Sequence, residues 1–448
     1  MALSADAARR IGHLSELHRI IQEVKSEPSE DGTRLEVLLA NTNSEEHTYD
    51  GIDWGGERVA QEIAKRVEDL EAKGDHVTKF SITGYSLGGL ISRYVIGILH
   101  QQGFFEKITP VNFNTVATPH LGLLRRCFRY DSFWSSLSHS LGPRLLSRTG
   151  EQFYFVDKWS AKGRPLLEVM ADPERVFYQS LQTFKHIRIY GNAINDLTVP
   201  YLTACIELED PFADYENTGL TVEYDDQYSP LIRSWDLPAE PPAREPKPKP
   251  LTLAWIKQIA NAHHQIFYVS FPVIVPLFFS LVLMRLTMSA HKSRRRIKLL
   301  EADPSKISSG ETLMQVVARL EKDVEDAVAD MMENPEGEES DASPEVSQDG
   351  LVGDNEAYPA QASDDTLAQA NGRRQSVHAS QPKSVARIAP LQRKMAANLN
   401  ALPIQKERAF IENVRNSHAV IISRDVKNFE WHRRGEGVIR HWADSFEL

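Results

Sequence analysis

Residues able to do chemistry together are few in this chain, and a serine leads them. Phe80-Ser81-Ile82-Thr83-Gly84-Tyr85-Ser86-Leu87-Gly88-Gly89-Leu90 reads as an apolar strand, a G-x-S-x-G turn and the first turn of a helix. A serine hydroxyl is a weak nucleophile until a sharp turn lifts it clear of the sheet and a base takes its proton. Gly84 and Gly88 leave space where a side chain would meet backbone, so Ser86 can occupy a strained elbow. The N–H of Leu87 opens a helix carrying Ile91, Val95, Ile98 and Leu99, and would face a developing oxyanion. The chemistry such an elbow would support is acyl transfer through a covalent serine intermediate.

A serine needs a base and an acid, which in strand–helix hydrolases follow it as acid, then histidine. Asp196 lies just past the apolar stretch Ile187-Arg188-Ile189-Tyr190, where a carboxylate can hold an imidazole in its productive tautomer. A turn or N-cap aspartate is the competing reading. His418, in Asn416-Ser417-His418, precedes the apolar run Ala419-Val420-Ile421-Ile422 and is the matching base. A surface loop histidine is the alternative there. His120, in Ala117-Thr118-Pro119-His120-Leu121-Gly122, comes before the acid and is expected to be structural. His263 and His264 border an apolar run and suit a lipid interface better than catalysis. Paired Cys/His ligands and a phosphate-cradling glycine loop are both lacking, so no metal and no cofactor are expected.

The elements that must position these residues alternate. Leu35 to Ala40 reads as a buried strand; Val59, Ile63, Val67 and Leu70 fall at helical spacing, with Gly74 as a C-cap. The nucleophile strand and helix follow, then strands at Val111–Val116 and Ile187–Tyr190. Such alternation predicts an α/β fold with a mostly parallel sheet and catalytic groups at the strand C-terminal ends.

Beyond Trp235 the composition changes. Leu237–Pro250 is rich in Pro, Glu and Lys and reads as a linker. Ile266–Met284 carries no charge, and Lys292, Arg294, Arg295, Arg296 and Lys298 follow it. Leu313, Val316, Val317, Leu320, Val324 and Val328 outline an amphipathic helix, and from Glu333 to about Pro390 the composition predicts disorder. A strand at 419–422 and a short helix around Val438–Phe446 are expected to close the fold. The division is a hydrolase core over 1–236, a linker over 237–251, a membrane-associated segment over 252–300, an amphipathic helix over 301–332, a disordered insertion over 333–400 and the rest of the core over 401–448.

The bulk properties narrow the class. The 448 residues carry a net charge of −11, which argues against general nucleic-acid binding. Two cysteines, Cys127 and Cys205, build no disulfide framework, and Met1–Arg10 lacks the apolar core of a secretory signal. A cytosol-facing chain in a reducing compartment is expected.

Several stretches in order resemble the ROG-type serine esterase/lipase family, best known from fungi. They are Thr48-Tyr49-Asp50-Gly51-Ile52, Gly55-Gly56-Glu57-Arg58, Gly84 to Leu90, Ala117 to Gly122, Gly163-Arg164-Pro165-Leu166-Leu167, Asn195-Asp196 with Pro200-Tyr201, and Ser417-His418-Ala419. The resemblance implies an α/β-hydrolase fold, hydrolysis of acyl esters on glycerolipids at lipid droplets or internal membranes, and Ser86, Asp196 and His418 as the triad. Family members usually open with a strand bearing a His-Gly-Leu-Trp-Gly-like loop that helps form the oxyanion hole. Met1–Gly12 shows nothing similar, although Leu14, Leu17, Ile20 and Ile21 resemble the helix that follows it. A central strand and one oxyanion donor are therefore expected to be missing, with a truncated gene model or alternative start preferred over a genuine short form.

Ile266–Met284 is about long enough to cross a bilayer core of roughly 30 Å. A single crossing would separate Ser86 and Asp196 from His418, and Pro272 and Pro276 disfavour a straight helix. A monotopic anchor is expected, with Phe267, Phe271, Phe278 and Phe279 in lipid and Arg294, Arg295 and Arg296 on anionic headgroups. A buried or lid helix is the alternative. The expected activity is a serine lipase or acylhydrolase on monoacylglycerol or phospholipid at an endoplasmic-reticulum or lipid-droplet surface. The alternatives are an acyltransferase, or a membrane-bound interaction protein on an impaired hydrolase frame. Arg373-Arg374-Gln375-Ser376 has the pattern of a basophilic kinase site, making a kinase a further expected partner. Phe128 to Phe153, with Tyr130, Phe133 and Trp134, fits an apolar acyl tunnel or an ordinary core equally.

Overall fold

The computed structural model describes residues 14–43, 45–124, 147–160, 162–239, 284, 287–288, 290–298 and 388–448, all within one compact unit. Short apolar runs form the sheet. β1 (Lys79–Tyr85), β2 (Thr109–Val116), β3 (His186–Asn192) and β6 (Ile404–Ala409) lie in the order β1-β2-β3-β6, every pair parallel. β4 (Thr221–Tyr224) and β5 (Ile232–Asp236) make a separate antiparallel hairpin. Parallel strands need crossovers, and these put helices on both faces.

One face is covered by α2 (Ile52–Glu71) and α3 (Leu87–Gln101), whose Ile63, Leu90, Val95 and Leu99 meet Phe80 and Ile82 of β1. The short helices α4 (Arg148–Phe153), α5 (Leu166–Met170) and α6 (Val176–Gln182) extend that layer. The opposite face is packed by α1 (Ser15–Val24) and the C-terminal α8 (Glu436–Asp444), where Leu17, Ile21, Val438 and Trp442 join Tyr85, Val116 and Tyr190. Close approach of α2 to α3 rests on glycine, since a Cβ on Gly56 would lie 2.4 Å from the Tyr94 ring.

Three sequence expectations need correction. Leu35–Ala40 forms no regular strand and joins no ladder among the described residues. Its side chains still split as a strand's would, Leu35 and Val37 to one core and Leu38 and Ala40 to the other. The run Ala419–Ile422 forms consecutive turns, Val420 and Ile421 N–H both donating to Ser417 O at 3.0 Å. Burial of the three consecutive residues Val420, Ile421 and Ile422 gave that run a strand's composition without a strand's alternation. Inside the segment expected as a disordered insertion, Pro390–Asn400 forms helix α7, and β6 follows it. Pro390 starts α7, and the Gln392 side chain caps it by accepting from Ala389 N–H at 3.0 Å. Gln392 is buried because its amide also donates to Leu121 O at 2.7 Å, so a polar residue occupies a core position that hydrophobic pattern alone misses.

The apolar segment 266–283, the helix expected near 313–328, the Ser376 site and residues 125–146 lie outside the described residues. Among the described residues no helix is long and apolar enough to cross a membrane.

Candidate active site

The strand-to-helix turn after β1 is held by glycines. A Cβ on Gly84 would come within 2.5 Å of Gly88 O and of the Gly89 backbone, and one on Gly89 within 2.1 Å of Thr118 Oγ1. With the turn so tight, Ser86 adopts φ 54° and ψ −125°, which a residue with a side chain holds only under constraint. Ser86 N–H donates to Val116 O at 2.9 Å, fastening the elbow to β2. Leu87 begins α3, so its N–H belongs to the helix N-terminus.

Ser86, Asp196 and His418 meet above the C-terminal ends of the strands. His418 Nδ1 lies 2.9 Å from Asp196 Oδ2, and His418 Nε2 lies 3.1 Å from Ser86 Oγ. An ionised carboxylate only accepts, so Nδ1 carries the proton and Nε2 accepts from the serine hydroxyl. Both Asp196 and His418 are buried.

Asp196 is aimed by its own backbone and by one asparagine. Its Oδ1 accepts from Thr198 N–H at 2.9 Å and Val199 N–H at 2.8 Å, and its Oδ2 accepts from Asn192 Nδ2 at 2.8 Å. His418 is held just as fully. Asn416 Oδ1 accepts from its N–H at 3.2 Å, Tyr85 Oη donates to its carbonyl at 2.8 Å, and the two rings lie 5.2 Å apart. Ser417 and Asn195 join the two loops: Ser417 Oγ donates to Ile194 O at 2.8 Å and Asn195 Nδ2 to Ile411 O at 2.9 Å.

Sequence reasoning missed Asn192, Asn416 and Tyr85. Tyr85 had a signal, being the variable residue before the serine and so fixed next to the site. Asn192 and Asn416 gave none beyond their nearness to Asp196 and His418.

His120 stays apart from this cluster. It is buried at the end of β2 with Nε2 2.9 Å from Thr115 Oγ1. Burial, with the Arg93 and Lys406 charges, holds its imidazole well below the usual range. Arg93 is itself buried and donates to the carbonyls of His120 and Met170, and burial lowers its guanidinium to about 10.

Of the residues expected to touch lipid, Phe267, Phe271, Phe278 and Phe279 lie outside the described residues. The basic cluster sits in the helical stretch 290–298. Arg296 donates to the buried Asp50 at 2.8 Å, as does Ser293 at 2.7 Å, and Arg294 pairs with Glu151 at 2.8 Å. Arg295 is exposed. Burial raises the Asp50 carboxyl, but Arg296, Ser293 and Arg58 outweigh that and hold it low. Two of the three arginines thus engage carboxylates of this domain.

A mostly parallel sheet flanked by helices, with a serine elbow facing a histidine and a carboxylate, is an arrangement that serine hydrolases use. Residues 12–207 match the family described as "Putative serine esterase (DUF676)". That stretch contains Ser86 and Asp196, while His418 lies beyond it. "Putative lipase C4A8.10" of Schizosaccharomyces pombe is 28% identical over 192 residues, 42% of this chain and 24% of that protein. "Putative lipase ROG1" of Saccharomyces cerevisiae is 29% identical over 193 residues, 43% and 26% of the two chains. "Putative lipase YDL109C" of the same yeast is 27% identical over 195 residues. The matched stretch spans about a quarter of the length of these relatives. No solved structure matches the chain.

Proposed function

We propose that this protein hydrolyses carboxylic esters of glycerolipids, monoacylglycerol or phospholipid, through Ser86, His418 and Asp196. The observation that carries the reading is the hydrogen-bonded series Ser86–His418–Asp196, assembled from three loops far apart in the sequence. Ser86 Oγ attacks the acyl carbonyl carbon while His418 Nε2 takes its proton. Asp196 keeps the imidazole in the required tautomer and stabilises the imidazolium. Negative charge builds on the carbonyl oxygen, and the Leu87 N–H at the start of α3 is the donor that would receive it. The tetrahedral intermediate collapses and the alcohol leaves with the proton from His418. Water, deprotonated by the same imidazole, then releases the fatty acid and restores Ser86 Oγ–H. Every proton in this cycle passes through one imidazole, first from Ser86 to the leaving alcohol and then from water back to Ser86. A glycerolipid substrate is consistent with the lipase names of the relatives and with the uncharged stretch Ile266–Met284. A membrane or lipid-droplet surface is the corresponding site of action.

The test is release of free fatty acid from mixed micelles of monoacylglycerol and phospholipid by the wild-type chain and by Ser86→Ala. Release by the wild type that disappears in the variant is expected. A folded wild-type chain that releases none would overturn the reading for this form. Equal release by both would remove Ser86 as nucleophile.

A further inference from the structure

After His418 the chain passes through turns to a short 3-10 segment, Glu430–Gly435. Two large rings there face water. Phe429 is 42% and Trp431 51% exposed, and their centroids lie 5.0 Å apart. Paired aromatics left in water give up transfer free energy that burial would recover, so such a pair marks a contact surface. A tryptophan suits one boundary above all, since its ring is apolar and its N–H keeps a polar partner.

The surroundings select the partner. Residues 412–440 hold six Lys and Arg against four Asp and Glu, in a chain of net charge −11. Lys427, Arg433, Arg434 and Arg440 are exposed. Arg433, Arg434 and Arg440 line an open cavity of about 490 Å³ beside Phe410 and Ile411. Glu412 and Glu436 lie there too, Arg433 reaching Glu436 at 3.3 Å and Arg434 donating to Glu412 O at 2.6 Å. An exposed aromatic wedge with arginines beside it is complementary to anionic headgroups above acyl chains.

This wedge is braced to the catalytic histidine. A Cβ on Gly435 would lie 1.8 Å from Val420 O, two residues past His418, so that the 3-10 segment rests directly on the His418 loop. Asp425 N–H donates to His432 Nδ1 at 3.0 Å, and Arg434 holds the loop at Glu412. Asn416, which accepts from His418 N–H, also accepts at 3.3 Å from Leu197, a residue 57% exposed beside Asp196.

We propose that Phe429 and Trp431 insert into the interface of an anionic phospholipid surface, with Arg433 and Arg440 taking lipid phosphates. The domain then docks with its His418 loop held against the surface. As a route for substrate the inference rests on the esterase reading, but docking itself needs no turnover.

The experiment therefore uses the full chain carrying Ser86→Ala. Co-sedimentation is measured with phosphatidylcholine vesicles and with vesicles containing phosphatidylserine. Tighter binding to the anionic vesicles is expected, weakened about tenfold or more by Phe429→Ala with Trp431→Ala. Arg433→Gln with Arg440→Gln is expected to remove most of the preference for anionic lipid. The uncharged stretch 266–284 could hold the chain on vesicles by itself, so a second measurement is local. Brominated lipids should quench a fluorescence component that is missing from Trp431→Phe, whose ring still inserts. Identical quenching in parent and Trp431→Phe would overturn the proposal. So would unchanged binding by the folded double-alanine variant, or vesicle binding indifferent to lipid charge. Self-association lost in that variant, without vesicle binding, would assign the surface to a second copy instead. Docking without fatty-acid release by the wild type would sink the esterase reading and leave this one standing.

Discussion

The nucleophile strand has two flanks, and they are built differently. On one side β1 pairs with β2 and through it with β3 and β6, and the loops from these strands cross-brace Ser86, Asp196 and His418. On the other side β1 has no ladder partner among the described residues, although six of its seven residues are buried. A cavity of about 500 Å³ lies there, bounded by residues 31–36, by Val67, Leu70 and Phe80, and by the C-terminal Phe446–Leu448. What spans that flank is largely exposed ion pairs: Lys79 with Asp31 at 2.8 Å, Arg34 with Asp75 at 3.2 Å, and Arg66 with Glu36. Buried hydrogen bonds fix the geometry of a site, whereas exposed pairs contribute little. Substitutions on the paired flank should therefore act strongly and locally, and those on the open flank weakly.

The largest effect falls on Asp196. Asp196→Asn keeps the shape but removes the charge and leaves the imidazole free to take the wrong tautomer, so kcat should fall about 10⁴-fold. The amide must also face Asn192 Nδ2 and the Thr198 and Val199 N–H groups, donors that now meet a carboxylate. Steady-state ester hydrolysis by the folded variant measures it; a fall of less than tenfold would break the claim that this flank sets the chemistry.

Gly84→Ala comes next. Its Cβ would meet backbone rather than a movable side chain, so the cost should reach about 3 kcal/mol. Chemical denaturation reads that cost, and a loss under 1 kcal/mol would show that the elbow yields.

The two flanks should also part in their response to acid. His120, on the paired side, is held neutral by burial and by the Arg93 and Lys406 charges, with its folded pKa depressed. The unfolded chain takes that proton at its ordinary value near 6.5. Between the two values the unfolded state binds more protons, so this stabilisation is complete above about pH 6.5 and fades as pH falls through the folded value. One proton gives a slope of up to about 1.4 kcal/mol per pH unit. His120→Gln should flatten the slope by that share. The open flank titrates lower: Lys79 and Ser29 hold Asp31 below the usual carboxylate range. That contribution persists until pH falls below about 4. Denaturation midpoints from about pH 7.5 down to about pH 2.5 check both windows.

The same contrast explains how much could be read from the sequence. The elbow at Ser86 was legible because G-x-S-x-G states a backbone requirement, and Asp196 and His418 because chain order limits the choices. Three of the four parallel strands announced themselves as apolar runs. β6, Ile404–Ala409, did not, because Gln405, Lys406, Glu407 and Arg408 give it the composition of a loop. Its polar side chains have specific partners, Lys406 and Arg408 meeting Glu207 at 2.9 and 3.0 Å. Ala419–Ile422 erred the other way, since a buried turn and a buried strand are equally apolar. Periodicity reports burial and cannot report which hydrogen bonds a backbone makes.

Tyr85→Phe probes the paired flank more gently. The variant keeps the ring against His418 and loses the hydrogen bond to the His418 carbonyl. A positioning role predicts a fall in kcat of about fivefold with KM little changed, one hydrogen bond being worth on the order of 1 kcal/mol. A purely structural role would lower the unfolding midpoint and leave kcat per folded molecule intact, so the two are separable.

The smallest effect belongs to the open flank. Lys79 Nζ bridges Asp31 Oδ2 at 2.8 Å and Leu448 O at 2.9 Å, joining the edge of β1 to the two segments across the cavity. If those contacts held the flank together, losing them would open it. Their exposure argues otherwise, because solvent and ions compete for both partners. Lys79→Met keeps the aliphatic stem and should cost less than about 1 kcal/mol, falling toward zero in 1 M salt. Fatty-acid release should stay within about twofold, because among the described residues Asp31, Lys79 and Leu448 make no hydrogen bond to His418 or Asp196. A loss comparable to that of Gly84→Ala, unaffected by salt, would mean that the bridge does what a neighbouring strand does for β1 on its other edge, and the contrast between the flanks would fail.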